Sequence, residues 1–391
     1  MKNDKILISI VMAAYNRRAY LADTIKSVLN QTHANLQFII VDDHSTDGST
    51  ELIKSFNDGR IELIILPENS QVSYATNAGM DAARGKYIAY IDSDDIWEPS
   101  KLEKQITYME AHPKCGACFT RVHIIDSAGN LANEKFPHIQ SLFSVEFKDA
   151  KELRDCLLYV GNRLCKPTVL LRRSTLEQMD SFHHNLAFVQ GHDYEFFLRV
   201  AMEADIYILP DRLLYYRWEE ESSVKISNTA DKGHTRFVNE RIMAVVNLIN
   251  RMPKDRFISL FFDRFKDPDS STDLEIQCEK AFFLLSFESS EPGIAFFGIM
   301  KLEELLNQDE SRLLLKNKYQ FSHKDFYELT PKHYFNDYYL REYFAAEKRQ
   351  SEINLYRMIK EKEVLIAEYE ASSSWRLTAP LRKMMAFLHK K

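Results

Sequence analysis

Between Ile6 and Tyr90 the chain alternates short apolar runs with stretches of helical spacing, and this rhythm is its strongest constraint. The runs "ILISIVMAAY", "LQFIIVDD", "RIELIILPE" and "KYIAYIDSDD" have strand length. Between them, Tyr20 to Asn30 places Leu21, Ile25, Val28 and Leu29 on one helical face. "STELIKSF" reads as a second helix and "VSYATNAGMDAARG" as a third, closed by Gly85. Strands separated by helices need crossover connections, and crossovers build a mostly parallel sheet with helices on its faces. In open sheets of this kind, ligands lie beyond the carboxyl ends of the strands.

Three of those ends carry polar groups: Tyr15-Asn16 after the first strand, Asp42-Asp43 after the second, and Asp92-Ser93-Asp94-Asp95 after the fourth. Carboxylates this close repel one another, and a cation, protonation or solvent must answer the repulsion. A solvated acidic turn would explain one such cluster. Two strand ends delivering acids to the same sheet edge fit better a ligand that brings its own cation. A nucleotide diphosphate with Mg²⁺ or Mn²⁺ is such a ligand, because the metal takes carboxylate oxygens on one side and phosphate oxygens on the other.

Other motif readings fail on spacing. "DDHSTDGSTELIK" aligns Asp43, Ser45, Asp47 and Gly48 with a calcium loop, but its twelfth position is Lys54 where a bidentate Glu is required. GxGxxG after the first strand and GxxxxGK[ST] are both missing, which removes the glycine cradles of dinucleotide and P-loop sites. An acid-nucleophile phosphatase would carry its Asp on the first strand, which here ends in Tyr15-Asn16. Cys115 and Cys118 have CxxC spacing without a second pair, so they read as buried strand cysteines. The net charge of -6 argues against nucleic acid as a partner. The apolar runs fall short of the roughly 20 residues of a membrane span, and the N-terminus lacks a small-residue cleavage site, so the expected compartment is the cytoplasm.

"ISIVMAAYNRRAYLADTIKSVLNQTHANLQFIIVDDHSTDGSTELI" and "NAGMDAARGKYIAYIDSDDIWEPSKL", followed by "GHDYEFFLRV", resemble the inverting family 2 glycosyltransferases of the GT-A fold. The resemblance implies a Rossmann-like, mixed, mostly parallel sheet. It implies that Tyr15 stacks on the donor base, that Asp43 accepts a hydrogen bond from that base, that Asp92 lies near ribose and metal, that Asp94 ligates Mn²⁺ or Mg²⁺, and that Asp193 is the general base. The implied donor is a UDP- or dTDP-type sugar and the acceptor a glycan or lipid-linked hydroxyl. Three positions depart from the family pattern: His192 stands where a Glu is common, Thr76 where an Arg is common, and Glu219-Glu220-Glu221 where relatives often carry a His. His192 is placed to bond the acceptor or Asp193, and equally to pack or cap at a helix start.

The stretch from Ala128 to Lys166 breaks the strand-helix rhythm and is the expected acceptor side. Beyond about Ala230 the pattern turns helical. The expected organisation is a GT-A domain over 1–228, a helical domain over 229–335, and a charged helix with a basic amphipathic tail over 336–391. From Trp375 onward the tail carries five Lys or Arg and no acid, which suits an anionic membrane surface or a partner subunit in a homo-oligomer. The reading as a whole is a metal-dependent, inverting glycosyltransferase of surface-polysaccharide assembly, peripheral at the inner membrane face. Its alternatives are a non-catalytic sugar-nucleotide-binding or scaffold protein of the same fold and, more distantly, a nucleotidyltransferase.

Overall fold

The structure is a computed structural model that describes residues 5–179, 181–218, 230–332, 334, 348–350 and 352–363, with side chains of 230–235 excepted. Glu219 to Glu221 and the basic tail lie outside the described residues. The chain divides into two compact units, Met1–Phe326 and Tyr327–Lys391. In the second, the described helical residues 348–350 and 352–363 are exposed throughout, Leu355 and Met358 among them.

The first unit is built on an eight-stranded mixed sheet. Its first half runs β1 (Ile8–Ala14), α1 (Arg18–Leu29), β2 (Leu36–Asp42), α2 (Ser49–Lys54), β3 (Ile61–Ile65), α3 (Gln71–Ala82) and β4 (Tyr87–Tyr90). The next elements are β5 (Ile96–Trp97), α4 (Lys101–Ala111), β6 (Cys115–Ile125), α5 (Pro137–Leu142), α6 (Ala150–Tyr159), β7 (Leu170–Arg172), α7 (Arg173–Leu176), α8 (His192–Glu203) and β8 (Asp205–Arg217). The strand order is β3-β2-β1-β4-β7-β6-β8-β5. β1 to β4 pair in parallel, as the crossovers require. β7 then enters antiparallel between β4 and β6, and this inversion carries the later segments across the carboxyl edge of β4.

The pleat sorts each strand's side chains to two cores. Ile8, Ile10 and Met12 of β1 and Phe38 and Ile40 of β2 pack with Leu21, Ile25 and Val28 of α1 and Leu102 and Ile106 of α4. Val11, Ile39 and Val41 face the opposite core, shared with Phe196, Phe197 and Val200 of α8. That second core continues without a break into α9 (Ala230–Arg251), α10 (Lys254–Phe261), α11 (Asp273–Leu285) and α12 (Pro292–Leu306), through Val245, Ile249, Phe257, Phe283 and Ile294. The helical region therefore buttresses the sheet face that holds α8.

Gly85 does not close α3. The helix stops at Ala82 with Ala83 extended, and Gly85 serves instead for close approach, since a Cβ there would lie 2.5 Å from the Ser9 nitrogen and 2.7 Å from the Tyr87 oxygen. Cys115 and Cys118 are buried, free residues of β6. Among the described residues, no helix is long and apolar enough to cross a membrane.

Candidate active site

The carboxyl ends of β1, β2 and β4 meet at one sheet edge through three short, tightly bonded turns. After β1, Asn16 adopts a left-handed conformation with φ +50°, one that Asn tolerates better than most residues. Its backbone N–H donates to Ser45 Oγ at 3.0 Å and its Oδ1 accepts from the Thr46 N–H at 2.8 Å, locking this turn to the one after β2. Tyr15 is left 41% exposed, open to a planar ligand.

The acids after β2 have structural partners. Asp42 is fully buried and takes the Ser45 N–H at 3.0 Å and the Thr50 hydroxyl. Asp43 accepts the backbone N–H groups of Ser70 at 2.7 Å and Gln71 at 3.0 Å, so its charge sits at the N-terminus of α3, where the helix dipole favours an anion. Each Asp43 oxygen keeps acceptor capacity beyond the bond it makes.

The three acids of "YIDSDD" have different fates. Asp95 is buried and takes the Arg217 N–H at 2.9 Å, while Arg217 Nε donates to the Asp94 carbonyl at 2.9 Å and Thr24 Oγ1 donates to the Asp95 carbonyl at 2.8 Å. The end of β8 and α1 thus shape this turn. Asp92 and Asp94 instead face side-chain cations. Lys166 Nζ lies 3.2 Å from Asp92 Oδ1, and Arg17 Nε lies 3.6 Å from Asp94 Oδ2. The repulsion expected from the sequence is therefore already answered by the chain itself.

Asp193 sits in the first turn of α8, with Oδ1 accepting the Tyr194 N–H at 2.7 Å and Oδ2 the Asn162 amide at 3.4 Å. His192 beside it is buried, bonded through Nδ1 to the Val189 carbonyl at 3.0 Å, and its Nε2 has no hydrogen-bond partner among the described residues. Burial holds its imidazole below the ordinary range, Asp193 and Asp92 pull it back up, and Lys166 pushes it down. His184, also buried, stacks on Phe196 with ring centroids 4.1 Å apart and is held well below its usual range by burial, His192 and Lys166.

Among the described residues, no three His, Cys, Asp or Glu cluster as a metal cage. Asp92 and Asp94 fit a different kind of site, in which one or two carboxylates hold a hard cation whose remaining positions belong to phosphate oxygens and water. Sequence reasoning brought Tyr15, Asp43, Asp92, Asp94, His192 and Asp193 forward and missed Arg17, Lys166, Asn162 and Arg217. Arg17 had a signal, since it follows Tyr15-Asn16 at the same strand end. Lys166 had a weaker one, a lone charge leading into the buried run "PTVLL".

An open sheet carrying acids at its carboxyl edge, with a further acid on a helix beside it, defines a GT-A fold, and residues 9–179 match the family described as Glycosyl transferase family 2. The chain belongs to that family. It is similar to the putative teichuronic acid biosynthesis glycosyltransferase TuaG of Bacillus subtilis, at 39% identity over 38% of this chain and 59% of that protein. It is also similar to the uncharacterized glycosyltransferase MJ1057 of Methanocaldococcus jannaschii, at 33% over 55% of this chain and 71% of the relative. The Escherichia coli UDP-Glc:alpha-D-GlcNAc-diphosphoundecaprenol beta-1,3-glucosyltransferase WfaP matches at 40% over 27% of this chain and 41% of its own length. The crystal structure of S. aureus TarS 1-349 in complex with UDP-GlcNAc superposes with a TM-score of 0.51 at 17% identity, over 81% of this chain and 90% of that one, a likeness of fold.

Proposed function

We propose that this chain is a metal-dependent, inverting glycosyltransferase that moves a sugar from a UDP-type donor to a hydroxyl of a glycan or lipid-linked acceptor in surface-polysaccharide assembly. The observation that carries the reading is that one short segment holds both acids, Asn162 bonding Asp193 at 3.4 Å and Lys166 bonding the partly exposed Asp92 at 3.2 Å. The name of WfaP supports the donor and acceptor classes, and that of TuaG the polysaccharide-assembly setting. Membrane-surface contact through the tail belongs to the same proposal, as does the division into a catalytic domain to about 228 and a helical domain behind it.

In this reading Tyr15 offers its exposed ring to the base and Asp43 a spare lone pair. Asp193 takes the acceptor hydroxyl proton as that oxygen bonds to the anomeric carbon, and the bond from that carbon to the diphosphate breaks on the opposite face, inverting the centre. What the fold supplies is placement, by Asn162 and the Tyr194 N–H. A divalent ion held by Asp92 and Asp94 would supply charge neutralisation for the departing diphosphate.

The test is Asp193→Asn, assayed for transfer against a panel of lipid-linked and oligosaccharide acceptors and for UDP binding by calorimetry. Turnover should fall by about 10²-fold or more with UDP affinity kept. Normal turnover would remove Asp193 from the reaction. A wild type that binds donor but transfers to no acceptor would favour a binding protein.

A further inference from the structure

Lys166 is buried, its side chain only 9% exposed, yet its ion-pair partner Asp92 is 39% exposed. Of the three N–H donors on an ammonium, one is used, on Asp92 Oδ1; this is its single hydrogen bond among the described residues. The Tyr90 ring centroid is 5.9 Å away. Lys101 makes the contrast: it is enclosed with Gln105 Oε1 at 2.9 Å and the Trp97 ring centroid at 4.0 Å, and burial pushes its amine down to about 7. Lys101 is a core group, whereas Lys166 is a desolvated cation with spare donors beside an open carboxylate.

The backbone holds Lys166 rigidly. It begins a 3₁₀ turn, Lys166–Thr168, whose Pro167 carbonyl accepts from Trp97 Nε1 at 2.9 Å and whose Thr168 carbonyl accepts from Gln105 at 2.9 Å. Trp97 lies in β5, just past the acidic turn, so the cation and the acids share one frame. Arg17 is set against Asp94 by the locked turn after β1 and by its own N–H bond to Ser49 Oγ at 3.2 Å.

Asp92 and Asp94 with Lys166 and Arg17 sum to zero charge. A nucleotide-diphosphate sugar, its diphosphate esterified at both ends, bound with a divalent ion adds about two negative and two positive charges, again summing to zero. We propose that Lys166, with Arg17 beside it, is a diphosphate ligand held in reserve. When metal and donor arrive together, Asp92 and Asp94 turn to the metal, and the two released cations turn to the diphosphate oxygens and stabilise them as leaving group. Bare metal must displace the two cations, and bare diphosphate must face the two carboxylates, so each binds weakly alone and both bind well together. This rests on the donor-site reading above, since it names ligands within that site.

The experiment is calorimetry on the full chain with Mn²⁺ alone, with UDP or GDP in EDTA, with each diphosphate plus Mn²⁺, and with the corresponding nucleoside. In Lys166→Met, affinity for nucleoside diphosphate with Mn²⁺ should fall about tenfold or more, the loss of one charge-assisted hydrogen bond. Affinity for Mn²⁺ alone should rise several-fold, because Asp92 is freed, and nucleoside affinity should not change. Asp92→Asn gives the reciprocal sign, with tighter metal-free diphosphate binding. A lysine that merely props the loop cannot raise affinity for one ligand while lowering it for another. Unchanged diphosphate affinity, or weaker Mn²⁺ binding, in a folded Lys166→Met protein overturns the inference and leaves the donor site standing. A wild type that binds neither nucleotide with Mn²⁺ overturns both.

Discussion

Glu240 of α9 is the point where the helical region reaches the catalytic edge, and its removal should be felt at Asp193. The carboxylate is buried and accepts three successive backbone N–H groups, from Val189 at 3.0 Å, Gln190 at 2.9 Å and Gly191 at 2.5 Å, immediately before α8. Gly191 is compact at this contact, since a Cβ there would stand 3.2 Å from Glu240 Oε2. Hydrogen bonds to a charged group contribute about 1.5–3 kcal/mol each, and buried donors left unpaired cost about 1–3 kcal/mol each. These contributions are not additive, and water can reach part of a vacated site. Glu240→Ala should therefore lose about 3–5 kcal/mol, and Glu240→Gln, which keeps the shape but turns an NH₂ toward a donor, about 1.5–3 kcal/mol. Urea unfolding gives the loss, and amide hydrogen exchange at 189–191 should accelerate more than exchange in β1 and β2. In Glu240→Gln, assayed where the protein is folded, turnover should fall while UDP affinity holds, because Glu240 bonds the backbone leading into α8 and not Tyr15, Asp43, Asp92 or Asp94. Nucleotide affinity lost in parallel with turnover, or exchange rising uniformly over the sheet, would refute Glu240 as a positioning residue for Asp193.

Two further outcomes follow from burial and from the tail. Burial holds Lys101 at about 7 in the folded protein against roughly 10.4 when unfolded, so the unfolded chain binds more protons between those values and stability rises with pH across that window. Lys101→Met should therefore stabilise most at pH 7 and below, with the gain shrinking toward pH 10, which urea titrations at pH 6 and 9.5 will read; an equal effect at both would show that Lys101 stays charged. Removing residues 372–391, whose basic residues from Trp375 onward are each worth about 1 kcal/mol near anionic lipid, should leave UDP binding intact and reduce sedimentation with phosphatidylglycerol vesicles at low salt. Equal sedimentation by both proteins would assign the tail to packing or subunit pairing.

The strands and helices up to Tyr90 were legible because each buried strand is a bounded apolar run and each helix keeps its period, two signals that do not depend on distant partners. The acids at the strand ends were legible for the same reason, since chain direction alone puts them on one edge. What each acid does was not. Asp94 and Asp95 are adjacent and chemically identical, yet one meets the Arg17 side chain and the other the Arg217 backbone, and that depends on how β8 closes over the turn. Lys166 reaches Asp92 because β7 inserts antiparallel beside β4, an arrangement the parallel rhythm of the first half does not announce. Glu240 has no local signature at all, one of two acids on an amphipathic helix.

These unannounced contacts share a physical logic. The acids that hold the loops are paired with backbone N–H groups: Asp43 with 70 and 71, Asp95 with 217, Glu240 with 189 to 191. A backbone donor cannot leave without unfolding its turn, so these carboxylates fix geometry. Asp92 and Asp94 are matched to the side chains of Lys166 and Arg17, which can rotate away at the cost of a rotamer change. Acids bonded to the backbone make the frame rigid, and acids bonded to side-chain cations leave it exchangeable. A site that must take up and release a charged ligand on each turnover needs both, with the exchangeable pairs confined to the one turn whose carboxylate remains open to solvent.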